Sequence, residues 1–252
     1  MYSLKPIAMK TIAQQTMFTG ILFAIGLLSV YSQDANTILG KMDNVMFSPE
    51  DLTGTMKVVM IDKNGRQEYR EATLQQMGAD KRLFRFTSPA SQAGIAVLSL
   101  PDDIMYLYLP AYGKERRIAS SAKNQNFAGT DFSYDDMESK SYCAKYTPEL
   151  LHAEENAYIL ELTPKGRSDY SKIVVRINKT HFYPESMEYY DRGNNKVKTA
   201  DYTFKKINPY WNAAEIEMTN HKTDRVTKMQ MSDVKYDTGL TDDDFTVRKL
   251  KQ

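Results

Sequence analysis

The sequence predicts a mainly β fold with short helices (α+β): a strongly curved antiparallel sheet of about eleven strands, an unclosed β-barrel, covered by two or three helices. Three observations carry that expectation. Apolar residues recur with period two in short runs along most of the chain. Gly, Asn, Asp and Pro punctuate those runs at short intervals. A helical period shows clearly only once, ahead of the first run. Strands twist, so a sheet this wide must curl, and its concave apolar face needs a cover.

The elements follow in order. Lys5 and Lys10 precede an apolar run from Met17 to Val30, which reads as a secretory signal peptide over residues 1–32, cut before Gln33. The run is shorter than the ~20 residues of a membrane-spanning helix, and no Cys follows it to carry a lipid anchor. Residues 33–252 contain no linker, repeat or composition break, so a single domain is expected. Asp34 is a natural N-cap, and Ile38, Leu39, Met42, Val45 and Met46 form one helical stripe that Pro49 ends. Thr55–Ile61 then alternates, and Asn64-Gly65 offers positive φ angles for a tight turn into the mostly polar Gln67–Met77. Further runs cover Arg82–Ser88, Ile95–Leu100, Ile104–Leu109, Tyr158–Thr163, Ile173–Ile177, Glu185–Tyr190, Val197–Lys205, Ala214–Thr219 and Val226–Val234. Strands are also expected at Arg116–Ala119 and Leu150–Ala153.

Between those two pieces stands "NFAGTDFSYDDMES", with Asp131, Asp135, Asp136 and Glu138 close together. The spacing lacks the alternating ligands and mid-loop Gly of a calcium loop. Carboxylates this crowded also do not flank a cleft as a glycosidase pair does. Ser133 and Asp136 instead form a capping-box pair, with Phe132 and Met137 at the staple positions, so a short helix is expected to start at Ser133.

Bulk composition narrows the function classes. With 33 basic and 32 acidic side chains the net charge is +1, which offers no footprint for nucleic acid. The single Cys143 cannot close an internal disulfide. His152, His181 and His221 lie far apart without zinc spacing, and no nucleophile elbow, dinucleotide loop or phosphate loop occurs. No catalytic residue, metal or cofactor is expected, and hence no enzyme.

"DANTILGKMDNVMF", "KRLFRF", "MYLYLP" and "LELTPKG" follow one another in an order and spacing that resemble the periplasmic lipoprotein carriers of the LolA/LolB fold. "FAGTDFSYDDM" resembles a divergent LolA-like branch, the outer-membrane lipoprotein-sorting proteins. The resemblance implies an unclosed barrel whose lidded hollow holds acyl chains in transit between membranes. In those carriers a basic residue before Leu-Phe of the third strand holds the lid, and aromatics on that strand line the hollow. The matching positions here are Arg82, Phe84 and Phe86, although Arg82 abuts Leu83 without the family's intervening Pro-Asn.

The residue pattern supplies the other candidates. Phe84 and Phe86 share one strand face, as do Met56, Val58 and Met60, and Met105, Leu107 and Leu109. Such faces are either ordinary core or a pliable lipid-binding lining, for which Met is suited. Arg82, Phe132 and Met137 are the lid-contact candidates; Trp211 belongs either to the rim or to the core. Exposing a sixteen-carbon chain to water costs on the order of 10 kcal/mol, so a lipid crossing an aqueous compartment needs a carrier. The expected protein is thus a monomeric periplasmic carrier. Its partners are an acylated lipoprotein or lipid, with an inner-membrane exporter or outer-membrane acceptor. The alternatives are a lipid-binding accessory of an exporter, or an envelope adaptor with a filled core.

Overall fold

A computed structural model describes residues 35–252. The expected signal peptide, its cleavage before Gln33 and the Asp34 cap lie outside the described residues. Helix α1 covers 35–47, as the apolar stripe requires, burying Ala35, Ile38, Leu39 and Met42.

One antiparallel sheet follows. Its first half is a meander of β1 (Asp51–Ile61), β2 (Gln67–Met77), β3 (Lys81–Ser88), β4 (Ala96–Leu100), β5 (Ile104–Leu109) and β6 (Lys114–Arg117). Its second half is a meander of β7 (Tyr146–Ala153), β8 (Ala157–Pro164), β9 (Tyr170–Asn178), β10 (Pro184–Asp191), β11 (Lys196–Ile207), β12 (Tyr210–Asn220) and β13 (Arg225–Tyr236). Pairing of β1 with β13 joins the halves into thirteen strands, leaving β6 and β7 as the two edges. All thirteen runs read from the sequence yield a strand, so the count exceeds eleven; the run at 116–119 is displaced to β6, which pairs with β5, and the run at 150–153 is the end of the longer β7, which pairs with β8. Charged Lys114, Glu115, Arg116 and Arg117 keep the β6 edge from templating another strand.

The β1–β2 turn differs from the expected one. Only Gly65 has positive φ (81°), and its N–H donates to the Asp62 carbonyl, while the Asp62 carboxylate accepts the N–H groups of Asn64 and Arg66. Asp62 thus organises a longer turn that needs a single left-handed residue.

Curvature follows from what lines the interior. Arg82 of β3 and Ile173 of β9 border the same small cavity. Seven strand spacings separate β3 from β9 in the sheet order, about 34 Å if the sheet were flat. The sheet must therefore fold over on itself. One face carries the main core, including Val58, Leu74, Phe84, Val97, Leu160, Val175, Met187 and Met218, together with α1. On the opposite face of β3 and β4, Leu83, Ala96 and Leu98 bury against Phe245 and Leu250 of the C-terminal tail, the latter on helix α3 (Val247–Leu250). Those strands are apolar on both faces for that reason.

The chain leaves the β6 edge at Ile118 and re-enters the sheet at the opposite edge at Tyr146. This connection contributes Ile118, Phe127, Phe132, Tyr134 and Met137 to the main core, so it crosses the concave face. Helix α2 (Tyr142–Lys145) ends it, its first N–H groups held by Asp43 of α1 at 2.8 Å. The helix expected from Ser133 does not form. Ser133 and Asp136 make the reciprocal cap bonds at 2.7–3.2 Å, and the Met137 N–H reaches back to the Ser133 carbonyl. The turn stops there, because Arg82 takes the carbonyls of Met137 and Glu138, and the Ser139 N–H is drawn to Ser99 Oγ. One turn closed and none propagated is what a costly helix nucleus gives when tertiary partners claim the next carbonyls.

Candidate functional site

The crossing segment is fixed hardest at Phe127–Asp131. Ala128 and Gly129 both take positive φ (46° and 80°), turning their carbonyls toward Arg70 Nη1 of β2 and Arg225 Nη2 of β13, each at 2.6 Å. Asp131 is wholly buried, and its carboxylate accepts from Thr227 Oγ1 at 2.8 Å and Asn220 Nδ2 at 3.1 Å. Phe127 stacks on Phe86 and meets Phe84 edge-on, both at 5.5 Å between centroids. This half of the concave face is solid.

The other half is hollow. An apolar chamber of about 130 Å³ lies beneath Met46 and Phe47 at the end of α1. Its walls include Leu52, Met56, Leu74, Phe84, Met229 and Met231 from the sheet, Phe132 and Met137 from the crossing segment, and Phe204 and Trp211 at its outer side. Trp211 is half-buried in a cluster with His181, Tyr183 and Phe204, so it is a rim residue with a core contact.

A second chamber of about 110 Å³ adjoins it, sharing Met46, Phe47, Arg82, Phe132, Asp136 and Ile216 as a common wall. Its own lining is polar: Tyr142, Tyr146, Tyr189, Tyr202, Lys140, Lys145, Asp135 and Glu138. Burial lifts the Tyr189 and Tyr142 hydroxyls well above the ordinary phenol value and pushes Tyr202 up to about 12. Burial also holds the Arg82 guanidinium below its ordinary value, against the charge of Glu138. Burial opposes the charge on Lys145 too, but Asp135 at 3.0 Å and Glu138 at 3.4 Å outweigh it and raise its pKa.

The candidates chosen from the sequence divide between these regions. Met56 and Phe84 line the apolar chamber, with Phe132 and Met137 opposite them. Val58, Met60, Phe86, Met105 and Leu107 are buried in the main core away from the chamber walls, and Leu109 packs half-buried at its margin. Arg82 stands on the wall between chambers, bonded through Nε and Nη2 to Gln76 Oε1 at 3.0 and 2.6 Å and through Nη1 to the Met137 and Glu138 carbonyls at 3.4 and 3.5 Å. Sequence inspection missed the inward tyrosines, although the alternation of Met187 with Tyr189 and of Ala200 with Tyr202 places each pair on one strand face. It also missed Arg70 and Arg225, whose role depends on a partner some sixty or a hundred residues distant.

The acids that prompted a metal or catalytic question are occupied. Asp135 and Glu138 face Lys145, Glu138 also meets Lys123 at 2.7 Å, Asp136 caps Ser133, and Asp131 holds Thr227. Among the described residues no group of three or more His, Cys, Asp or Glu gathers as metal ligands would. No helix among them is long and apolar enough to cross a membrane.

Sheet, crossing segment and chambers together define a class: an unclosed antiparallel barrel with an apolar interior cavity under a helical cover. Solved structures of that class match. A protein from Vibrio parahaemolyticus described as an outer membrane lipoprotein-sorting protein domain is 30% identical, with a TM-score of 0.81 over 88% of this chain and 100% of its own. A DUF1329 family protein from Desulfovibrio piger is 26% identical, with a TM-score of 0.82 over 87% and 99%. A LolA superfamily protein from Nitrosomonas europaea, 24% identical, shares the fold with a TM-score of 0.74 over 85% and 98%. A family model described as "Uncharacterized protein" matches residues 78–252, and no curated protein matches significantly. The chain belongs to the outer-membrane lipoprotein-sorting protein family.

Proposed function

We propose that this protein is a non-enzymatic periplasmic carrier that takes acyl chains of a lipoprotein or lipid into the concave face of its sheet and passes them between envelope membranes. The observation that carries this reading is the apolar chamber under α1, walled by Met46, Met56, Met229 and Met231 beside aromatic rings. Flexible thioether side chains re-pack around chains of variable shape at little cost. The lipoprotein-sorting description of the Vibrio relative supports it, as does the signal-peptide character of residues 1–32.

At about 130 Å³ the chamber is smaller than the roughly 300 Å³ at which ordinary ligand pockets begin. Loading therefore requires Met46 and Phe47 to swing away or the Phe132–Met137 turn to lift. Arg82 is placed to hold that turn closed through its two long carbonyl bonds, which break more readily than ideal ones.

Titration of the purified protein with a fluorescent fatty acid tests the proposal. The wild type should bind it reversibly, and Met231→Trp, which fills the chamber, should weaken binding at least tenfold while the protein stays folded. Absence of any displaceable binding by the wild type would overturn the carrier reading in favour of an envelope adaptor with a filled core. Lipid analysis of the protein purified from its native periplasm would identify the cargo and separate a carrier from an exporter accessory.

A further inference from the structure

The polar chamber is lined by Tyr142, Tyr189 and Tyr202, whose hydroxyls bond a sulfur and one another. Tyr189 and Tyr202 both direct their O–H at the thioether of Met187, at 3.8 and 3.6 Å. Sulfur is a weak acceptor. Tyr142 shares a hydrogen bond with Tyr202 in turn. Every buried side-chain nitrogen and oxygen among the described residues has some partner, but here the three hydroxyls bond a single sulfur and one another, Tyr202 meeting both Tyr142 and Tyr189, with open space beside them. Placing weakly bonded donors against a cavity forfeits much of what a proper acceptor would supply. Because burial raises their pKa, these phenols stay protonated donors throughout the physiological range.

The charges around the chamber are balanced. Arg82, Lys140 and Lys145 face Asp135, Asp136 and Glu138. Lys145 is committed to Asp135 and Glu138, and Lys140 reaches outward to Asp103 at 2.5 Å. Arg82 already bonds Gln76 and two carbonyls. No cation is left without a partner to repay desolvation of a phosphate or carboxylate, and three acids would repel one.

We infer that the tyrosine-lined chamber is a subsite for the uncharged, acceptor-rich polar part of an amphiphile, its ester, amide or ether oxygens, while the hydrocarbon of the same molecule occupies the adjoining apolar chamber. The shared wall of Arg82, Phe132, Asp136 and Ile216 puts the two subsites within reach of one ligand. Tyr142, Tyr189 and Tyr202 donate to its oxygens in place of sulfur and of one another. This inference rests on the carrier reading, and it selects among lipids: a glyceride-like head without net charge is taken in preference to a free fatty acid or an anionic phospholipid.

The test compares three fluorescent probes with matched chains: a diacylglycerol, a phosphatidic acid and a fatty acid. Wild-type protein should bind the diacylglycerol at least tenfold more tightly than the phosphatidic acid. The double variant Tyr142→Phe/Tyr202→Phe should lose about tenfold in diacylglycerol affinity with fatty-acid affinity changed less than twofold, since neither residue borders the apolar chamber. If the double variant fails to fold by circular dichroism, each single variant is measured in its place, with a several-fold loss expected. Undiminished diacylglycerol binding, or phosphatidic acid bound as well or better, overturns the subsite while fatty-acid binding blocked by Met231→Trp leaves the carrier standing. Failure of all three probes on the wild type overturns both.

Discussion

One sheet and one crossing segment build both halves of the concave face, yet the halves are packed in opposite ways. Around Phe127 the segment is locked by stacked rings, two arginine-to-carbonyl bonds and a buried carboxylate. Around Met137 it rests on methionines beside open space, and its ties are the long bonds from Arg82 and the side-chain ion pairs of Asp135 and Glu138 with Lys145 and Lys123. On the proposed carrier function this connection would serve as a hinged cover, its end beside the void opening while the end packed around Phe127 preserves the fold.

The sharpest way to break the contrast is at the solid end. Phe127→Ala should cost about 4 kcal/mol, the range for emptying an aromatic site in a packed core, seen as a large fall in denaturant midpoint. Asp131→Ala should cost about 3 kcal/mol, because Thr227 and Asn220 are left buried with an acceptor missing. Phe84→Glu belongs with these: Phe84 lines the chamber but also packs against Phe86 and Phe127, so global unfolding is expected in place of a clean binding defect.

An intermediate effect is expected where the tail is tied near the hollow end. Burial raises the pKa of Asp51, but bonds from the Thr238 hydroxyl and the N–H groups of Thr238, Gly239 and Leu240 outweigh it and hold the pKa below the ordinary 3.8. A depressed carboxylate contributes stability above its unfolded value and loses it as pH falls through the folded one. Asp51→Asn should therefore cost about 2 kcal/mol near pH 7, and the difference from wild type should begin to shrink as pH falls below the ordinary 3.8 and disappear only once pH passes below the lowered folded value. Urea melts at pH 7, 5 and 3 check it. The smallest stability change, within about 1 kcal/mol, is expected for Met231→Trp, whose added volume enters the chamber. If that variant is instead as damaging as Phe127→Ala, the two halves are equally packed and the hinged cover is wrong.

The amino-acid sequence sets the strand pattern, the opening helix and the concave apolar face, because period and turn chemistry are local. The apolar stripe before Pro49 became α1, and the alternation of Met56, Val58 and Met60 became an inward strand face. It also set the reciprocal Ser133–Asp136 bonds, which need only neighbours. Tertiary packing makes this cap end in a single turn, since Arg82 and Ser99 compete for the next backbone groups. It likewise decided which apolar residues are core and which are wall. Val58 and Met56 carry the same signal, but Phe127 and its neighbours fill the space at one end of β1 and leave a void at the other. Where a long connection lands on a sheet depends on partners far apart in sequence, such as Arg225 with Gly129, and no local pattern encodes that pairing.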